Sequence, residues 1–214
     1  TSLHKRGYRK YTAPAPVTET LAAAMLLLSP WKKDRILVDP FCGSGTILIE
    51  AAMIAMNIAP GMNREFTAEG WTNLIPKKEW YSVVEEASDL MEEEAEVNIQ
   101  GYDIDGEVLK MARANAALAG VDKQIHFQQR DIINFSSPKK YGFVISNPPY
   151  GERLSSKKEM ELLYRTIGNI IRENEAWSFF LLSGFEEAQK AIGKKATKNR
   201  KIYNGMMKTY LYQY

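Results

Sequence analysis

The chain of 214 residues predicts an α/β fold: a mainly parallel, seven-stranded sheet with helices on both faces and an antiparallel hairpin at its carboxyl end. Three observations predict it. Short apolar runs alternate with helix-period patterns, which is the order that βα units produce. Two of those runs, Phe143-Val-Ile and Phe179-Phe-Leu-Leu, are continuously apolar, as strands buried on both faces are. Near the end, Asn204-Gly205 separates two β-prone runs, and Asn-Gly is the pair that a type I′ hairpin turn favours.

Strands are expected over 35–39, 97–103, 124–131, 143–147 and 177–183, ahead of the hairpin. A helix over 15–28 precedes the first strand, and one over 46–57 follows it. Over 107–119, Leu109, Ala112, Ala116 and Ala119 form one stripe, and Gly120 supplies the stop. Met160, Leu163, Tyr164, Ile167, Ile170 and Ile171 mark a further amphipathic helix. The stretch 59–78 holds Pro60-Gly61, Gly70-Trp71 and Pro76 and reads as a long irregular loop. An acidic helix over 79–96 follows, so 59–96 reads as an insertion in the alternation. Trp71, Trp80 and the methionines are expected in the core.

Composition excludes several classes. The chain is 45% hydrophobic and 25% charged, an ordinary globular balance. Its single cysteine, Cys42, rules out an internal disulfide and a multi-cysteine zinc site. The longest apolar run has eight residues, 21–28, against the roughly 20 that a membrane-spanning helix needs. No signal peptide is visible, and the cytoplasm is the expected compartment. The first residue is Thr1 rather than Met, so a piece of a longer protein is expected.

Net charge is only +2, but it is unevenly spread. His4, Lys5, Arg6, Arg9 and Lys10 crowd the start, and residues 188–214 hold seven Lys or Arg and no acid. Seven acids lie between Glu85 and Glu96. Two readings stand: solvated charged faces, or basic ends that meet a polyanion while the acidic helix faces away.

Four elements carry chemistry. The first, Asp39-Pro-Phe-Cys-Gly-Ser-Gly-Thr46, ends the first strand, at the edge where open α/β sheets bind ligands. Gly43 and Gly45 allow a sharp turn and a close backbone approach. No Gly-Lys-Ser/Thr follows, so this is not a P-loop. Ile47 and Leu48 stand where a dinucleotide site would have its third glycine. Taken alone, the motif is also compatible with a simple strand-to-helix turn. The second element, Gly101-Tyr-Asp-Ile-Asp105, ends the second strand, and Asp103 is placed to accept the ribose hydroxyls of an adenosine-type cofactor. Asp105 is a cofactor candidate beside it, or the N-cap of the next helix. The third, Arg130-Asp-Ile132, places Asp131 to accept from an adenine amino group, or to close an exposed turn.

The fourth, Asn147-Pro148-Pro149-Tyr150, ends the fourth strand. Two prolines cannot continue a sheet ladder; they stiffen the backbone and aim its carbonyls outward. This suits methylation of an amine conjugated to a π-system, whose lone pair is delocalised. The Asn147 side-chain oxygen and the Pro148 carbonyl can each accept one N–H and turn the lone pair toward the methyl donor. Tyr150 offers a ring on which a planar target can stack, and a base within a helix must first be extruded.

With Ser146-Asn-Pro-Pro-Tyr-Gly-Glu-Arg-Leu154 beside the glycine motif, the chain resembles a bacterial family of rRNA guanine-N2 methyltransferases, many of them labelled N6-adenine-specific DNA methylases. Their pattern is the class I methyltransferase fold, Rossmann-like. The resemblance covers nearly the whole chain, from Leu3-His-Lys-Arg-Gly-Tyr-Arg9 through the 60–71 insertion. Those proteins carry an N-terminal RNA-binding THUMP domain, and the given sequence is expected to begin after it. The resemblance therefore implies a linker over 1–12 following that domain and a catalytic domain over 13–214. It implies S-adenosylmethionine as cofactor and RNA, large-subunit rRNA in particular, as partner. Thr18 and Glu19 would face the methionine end of the cofactor. Asp39, Phe41, Gly43 and Gly45, with Cys42 and Thr46 in the same turn, would hold the methionine moiety. Asp103 would hold the ribose, with adenine near Ile104, Asp131 and Ile132, and Asn147 would face both cofactor and target. Transfer is expected to be direct, without a metal or a covalent intermediate.

Arg153 is a candidate for a phosphate or base edge, or a plain surface arginine. Cys42 could be imagined as a nucleophile, but it sits among the cofactor glycines; His4 and His126 lack a partner motif. Asn147–Tyr150 also suits N6-adenine methylation or glutamine methylation of release factors, and a non-catalytic cofactor- or RNA-binding module is the reading from another class. Gly151-Glu152-Arg153 favours the guanine family by resemblance.

Overall fold

The computed structural model of the chain describes residues 2–12, 17–150 and 156–214. The amino-terminal segment leads into α1 (Glu19–Leu28), β1 (Leu37–Asp39) and α2 (Thr46–Ala55). The insertion carries α3 (Lys77–Asp89). Then come β2 (Ile99–Asp103), α4 (Gly106–Ala119), β3 (Ile125–Gln129), β4 (Phe143–Ser146) and α5 (Lys157–Glu173). The chain ends with β5 (Ser178–Ser183), α6 (Ala188–Ile192), β6 (Lys198–Asn204) and β7 (Met207–Gln213). The seven strands form one sheet in the order β3-β2-β1-β4-β5-β7-β6. The first five pair in parallel, and β7 pairs antiparallel with both β5 and β6.

The continuous apolar strands are two-sided, as their composition predicts. Ile145, Phe180 and Leu182 face one core layer, with Leu21 and Met25 of α1, Leu48 of α2 and Ala112 of α4. Val144, Phe179 and Leu181 face the other, with Tyr164 and Ile167 of α5 and Ile192 of α6. The hairpin forms, but its turn pair is Gly205-Met206 rather than Asn204-Gly205: Asn204 ends β6 opposite Met207, and only Gly205, at φ 61°, takes a positive φ, so the turn is not of type I′. Gly120 ends α4 in the left-handed region.

Element bounds differ from expectation for identifiable reasons. β1 begins at Leu37 because Arg35 is spent on a turn: its N–H donates to the Lys32 carbonyl, and its own carbonyl accepts from the Trp31 indole. α2 stops at Ala55, and Asn57 takes φ 54°. α1 begins at Glu19, while 15–16 of the expected helix lie outside the described residues. The acidic helix ends at Asp89 rather than Glu96. Further acids in a last turn would oppose the helix dipole, and Glu92 and Glu96, four residues apart, would repel one another there. Instead the chain turns back: Glu92 N–H donates to the Met56 carbonyl at 2.8 Å, and the Glu92 side chain pairs with Lys33. Trp71 is not a core residue but 53% exposed, since the irregular stretch around it lies on the surface.

The amino-terminal segment is docked on the domain. Tyr8 is 1% exposed and donates to Glu50 Oε1 at 2.9 Å. Arg6 Nε lies 3.5 Å from the same oxygen, and Arg9 Nη2 lies 3.1 Å from Glu19 Oε2. Two of the basic residues at this end thus neutralise buried carboxylates rather than face solvent. Burial pushes the Glu50 carboxyl above its usual range, which the Arg6 charge partly offsets.

Asn115 of α4, fully buried, completes the docking. Its Oδ1 accepts from Lys10 N and Tyr11 N, both at 3.2 Å, and its Nδ2 donates to Tyr11 O at 2.8 Å and Ser44 O at 3.2 Å. Asn115→Ala removes these bonds from the Tyr11 N–H and the Tyr11 and Ser44 carbonyls, while Lys10 N–H keeps the Tyr8 carbonyl at 3.0 Å. We expect a loss of about 1–3 kcal/mol of stability, read as a lower urea midpoint at unchanged slope; a wild-type midpoint would show that the network contributes nothing.

Candidate active site

The parallel order reverses direction between β1 and β4: β1 continues to β2 on one side, whereas β4 continues to β5 on the other. Ligands of open α/β sheets bind outside the strand ends at such a switch point. Both main motifs open there, the glycine turn from β1 and the Asn147–Tyr150 motif from β4.

The two glycines of the turn do different work. Gly43 takes φ +52°, and a Cβ built on it would meet nothing within 4 Å, so its outer side faces open space. Gly45 takes φ +86° as the N-cap of α2, and a Cβ there would lie 3.2 Å from Ala112 Cβ of α4. One glycine leaves room for a ligand, and the other lets two helices close up. Cys42 N–H donates to the Tyr102 carbonyl at 2.9 Å, and burial pushes its thiol well above the ordinary range. A neutral, 6% exposed thiol is a poor nucleophile. Thr46, 5% exposed, opens α2.

Four carboxylates stand just beyond or at the carboxyl ends of β1, β2 and β3. Asp39, 1% exposed, accepts from Phe41 N–H at 3.1 Å and from the Ser146 hydroxyl. Burial pushes its pKa up to about 7, against these two hydrogen bonds. Asp103 is half-buried; its Oδ2 accepts from Gly43 N–H at 2.9 Å and its Oδ1 from Asp105 N–H at 3.1 Å. Asp105 caps α4, accepting from Glu107 N–H at 2.8 Å, so its side chain does the work of a helix N-cap. Asp131 Oδ1 accepts from Ile133 N–H at 2.9 Å at the end of β3.

Asn147 follows Ser146 directly and is 6% exposed, and its Oδ1 has no hydrogen-bond partner among the described residues. A buried acceptor without a donor costs free energy and needs an explanation. Pro148 is buried, and Pro149 is half-buried. Tyr150 is 5% exposed, with its hydroxyl likewise unpartnered among the described residues and its ring against Gly184. Its ring is thus more enclosed than an open stacking platform would be.

The structure gathers most of the expected residues. Phe41 and Ile132 line one small apolar hollow with Pro40, Phe135 and Val144. Ile104 is 67% exposed beside Asp103. Thr18 precedes α1 and makes no side-chain cap, while Glu19 joins Arg9 in the buried cluster. Arg153, with Gly151 and Glu152, lies outside the described residues. Sequence reasoning missed Ser146 and Asn115. A signal existed for Asn115, a polar residue three positions after Ala112 and four before Ala119, on the buried stripe. None existed for Ser146, whose partner lies 107 residues away.

Comparison with known proteins places this chain in a family. Residues 6–213 match the family described as "RMKL-like, methyltransferase domain" (UPF0020). A Bacillus subtilis protein named "Putative RNA methyltransferase YpsC" is 44% identical over 214 residues, 100% of this chain and 55% of its own length. The ribosomal RNA large subunit methyltransferase K/L of Shewanella oneidensis is 43% identical over 212 residues, 96% of this chain and 30% of that protein. The crystal structure of "SMU.472, a putative methyltransferase complexed with SAH", superposes with a TM-score of 0.93 at 42% identity, covering 99% of this chain and 55% of that one. The chain therefore spans about half the length of these relatives, or less. Its sheet is that of the S-adenosylmethionine-dependent methyltransferases. The chain belongs to the RMKL-like methyltransferase domain family.

Proposed function

We propose that this domain methylates the exocyclic N2 amine of a guanine in RNA, 23S rRNA being the target, with S-adenosylmethionine as donor. The observation that carries the reading is the buried, unpartnered Asn147 Oδ1 at the switch point, among the described residues. An amine N–H would satisfy it. The open side of Gly43 and the carboxylate of Asp103 fit a ligand with a ribose and no phosphates. A carboxylate has about four acceptor sites, so Asp103 can keep its two backbone donors and still accept from a ribose diol.

S-adenosylmethionine supplies an electrophilic methyl group on a sulfonium. The chain supplies position. Ile104 and Ile132 flank the adenine, and Asp131 keeps acceptor capacity for its amino group. Asp39, Phe41, the 42–46 turn, Thr18 and Glu19 surround the methionine end. Asn147 Oδ1 and the Pro148 carbonyl accept the two N–H bonds of the target amine, so its lone pair faces the methyl group. Pro149 stiffens the turn, Tyr150 packs on the base plane, and Arg153 holds a neighbouring phosphate or base edge. The transfer would be direct and in-line: the N–C bond forms as the sulfonium S–C bond breaks, S-adenosylhomocysteine leaves, and the surplus amine proton passes to solvent; its rate comes mostly from such positioning. Homologues named as RNA methyltransferases support an RNA substrate. Selection of the RNA would be shared with an N-terminal THUMP domain in a longer protein, acting in the cytoplasm.

Incubation with labelled S-adenosylmethionine and unmodified rRNA, tRNA, DNA and release factor, followed by nucleoside digestion or peptide mapping, tests this reading. N2-methylguanosine from rRNA is expected; N6-methyladenosine or methylglutamine without it would overturn the guanine assignment. In the same assay, Asn147→Ala should lower transfer by about 10²-fold or more while affinity for S-adenosylhomocysteine stays within about twofold. For Asp103→Ala, loss of hydrogen bonds to a charged acceptor should weaken that affinity about tenfold or more; an unchanged calorimetric constant would remove Asp103 from the site.

Asp39 gives a prediction in pH. Its folded pKa of about 7 lies above the unfolded value of 3.8, so the folded state binds the proton more tightly. Stability from this group is therefore complete below pH 4 and is lost as pH rises toward 7. Asp39→Asn should flatten that slope in urea midpoints measured across the window; an identical slope in both proteins would assign it to other groups.

A further inference from the structure

The β6–β7 hairpin carries an ordered array that the methyl-transfer site does not use. All seven Lys and Arg of residues 188–214 are exposed, and no acid lies among them. In the hairpin register Lys201 stands opposite Tyr210, and Tyr203 opposite Lys208. Alternate residues of a strand share a face, so these four side chains form a two-by-two checkerboard on one face. Lys201 Nζ lies 5.2 Å from the centre of the Tyr203 ring, and Lys208 Nζ lies 5.5 Å from that of Tyr210. A cation thus lies over each tyrosine ring, while Tyr203 stays 59% exposed.

This face is also the one that holds Tyr150. Tyr212, and Tyr210 packed against it, belong to the core layer that contains Tyr150. Tyr210 pairs with Ser183, the last residue of β5, so the Tyr203–Lys208 rung projects past the carboxyl edge of the sheet. There the hairpin reaches the site. A Cβ at Gly184 would lie 3.1 Å from two ring carbons of Tyr150 and 3.2 Å from Met207 Sδ.

Edge strands commonly carry lysine as a guard against unwanted pairing. That does not account for this array. The other edge strand, β3, has the sequence IHFQQ and is guarded without Lys or Arg. A guard also needs neither exposed tyrosine nor a lysine on the inner strand β7.

We propose that the Lys201/Tyr203/Lys208/Tyr210 face docks the unpaired RNA strand flanking the target nucleotide. The two lysines contact its phosphates, and Tyr203 stacks on a base next to the extruded one. The assignment rests on the reading of RNA as substrate and adds where the strand lies. Diagonal residues on paired strands sit about 7–8 Å apart, so the lysines can engage separate phosphates, while the tyrosine ring accepts any base.

The test is fluorescence anisotropy of an unmodified single-stranded rRNA oligonucleotide with the 214-residue chain, repeated over a salt series. Each phosphate contact on a single strand contributes about 0.7 to the slope of log affinity against log salt. Lys201→Gln/Lys208→Gln should therefore lower that slope by about 1.4. Tyr203→Ala should weaken binding about tenfold at fixed salt with the slope kept. Lys77→Gln/Lys78→Gln on α3, which removes the same charge elsewhere, should bind as wild type. S-adenosylhomocysteine affinity, unchanged in all three variants, reports that each is folded. A wild-type slope in the hairpin double variant, or an equal loss in the α3 variant, overturns the assignment while the substrate reading stands. A wild-type chain that neither binds nor methylates RNA overturns both. Displacement of the RNA by polyglutamate as readily as by unlabelled RNA would point to an acidic protein partner and overturn it as well.

Discussion

One hydrogen bond joins the two halves of the site: the Ser146 hydroxyl donates to the buried carboxyl of Asp39 across the switch point. Asp39 begins the glycine turn, and Ser146 immediately precedes Asn147. The glycine turn and Asn147 are therefore tied by this pair of side chains as well as by the β1–β4 ladder. Methyl transfer gains its rate from placement, so this contact bears on chemistry it does not touch. The burial that makes the bond firm also raises the proton affinity of Asp39.

Further ties hold the turn from other sides. Asp103 grips Gly43 N–H from β2, and Asn115 grips the Ser44 carbonyl from α4. The turn is thus fixed by three separate elements, while the outer side of Gly43 stays open. Asn115 also binds the backbone of residues 10 and 11, so the docked amino-terminal segment and the glycine turn share one side chain. Buried polar groups with all their partners in place rigidify in this manner.

Much of this architecture was legible in the sequence because local chemistry leaves local traces. Gly205, Gly120 and the two glycines at 43 and 45 are dictated by backbone geometry, and each sits where its conformation is needed; Asn204 instead ends β6 without a positive φ, so the hairpin was legible but its turn pair was not. The strands buried on both faces were legible as unbroken apolar runs. Polar pairing over long separations leaves no such trace. Nothing around Arg6 or Arg9 distinguishes a cation bound for a buried glutamate from one bound for solvent, and both looked like part of a basic tail. The end of the acidic helix was misread because composition reports charge, whereas the stop depends on where charge falls relative to the dipole. The enclosure of Tyr150 was equally hidden, since it depends on Gly184 and Met207, which come 34 and 57 residues later.

The insertion between α2 and β2 has its two ends clasped. Asn57 Nδ2 donates to the Leu90 carbonyl at 2.9 Å, and Glu92 N–H meets the Met56 carbonyl at 2.8 Å. Everything between leaves and re-enters the domain through one doorway. The entropic cost of such an excursion grows only logarithmically, about 0.6 kcal/mol per doubling of length. The doorway is thus a permissive port: relatives could lengthen, shorten or exchange what passes through it at little thermodynamic cost, while the sheet and its switch point remain undisturbed.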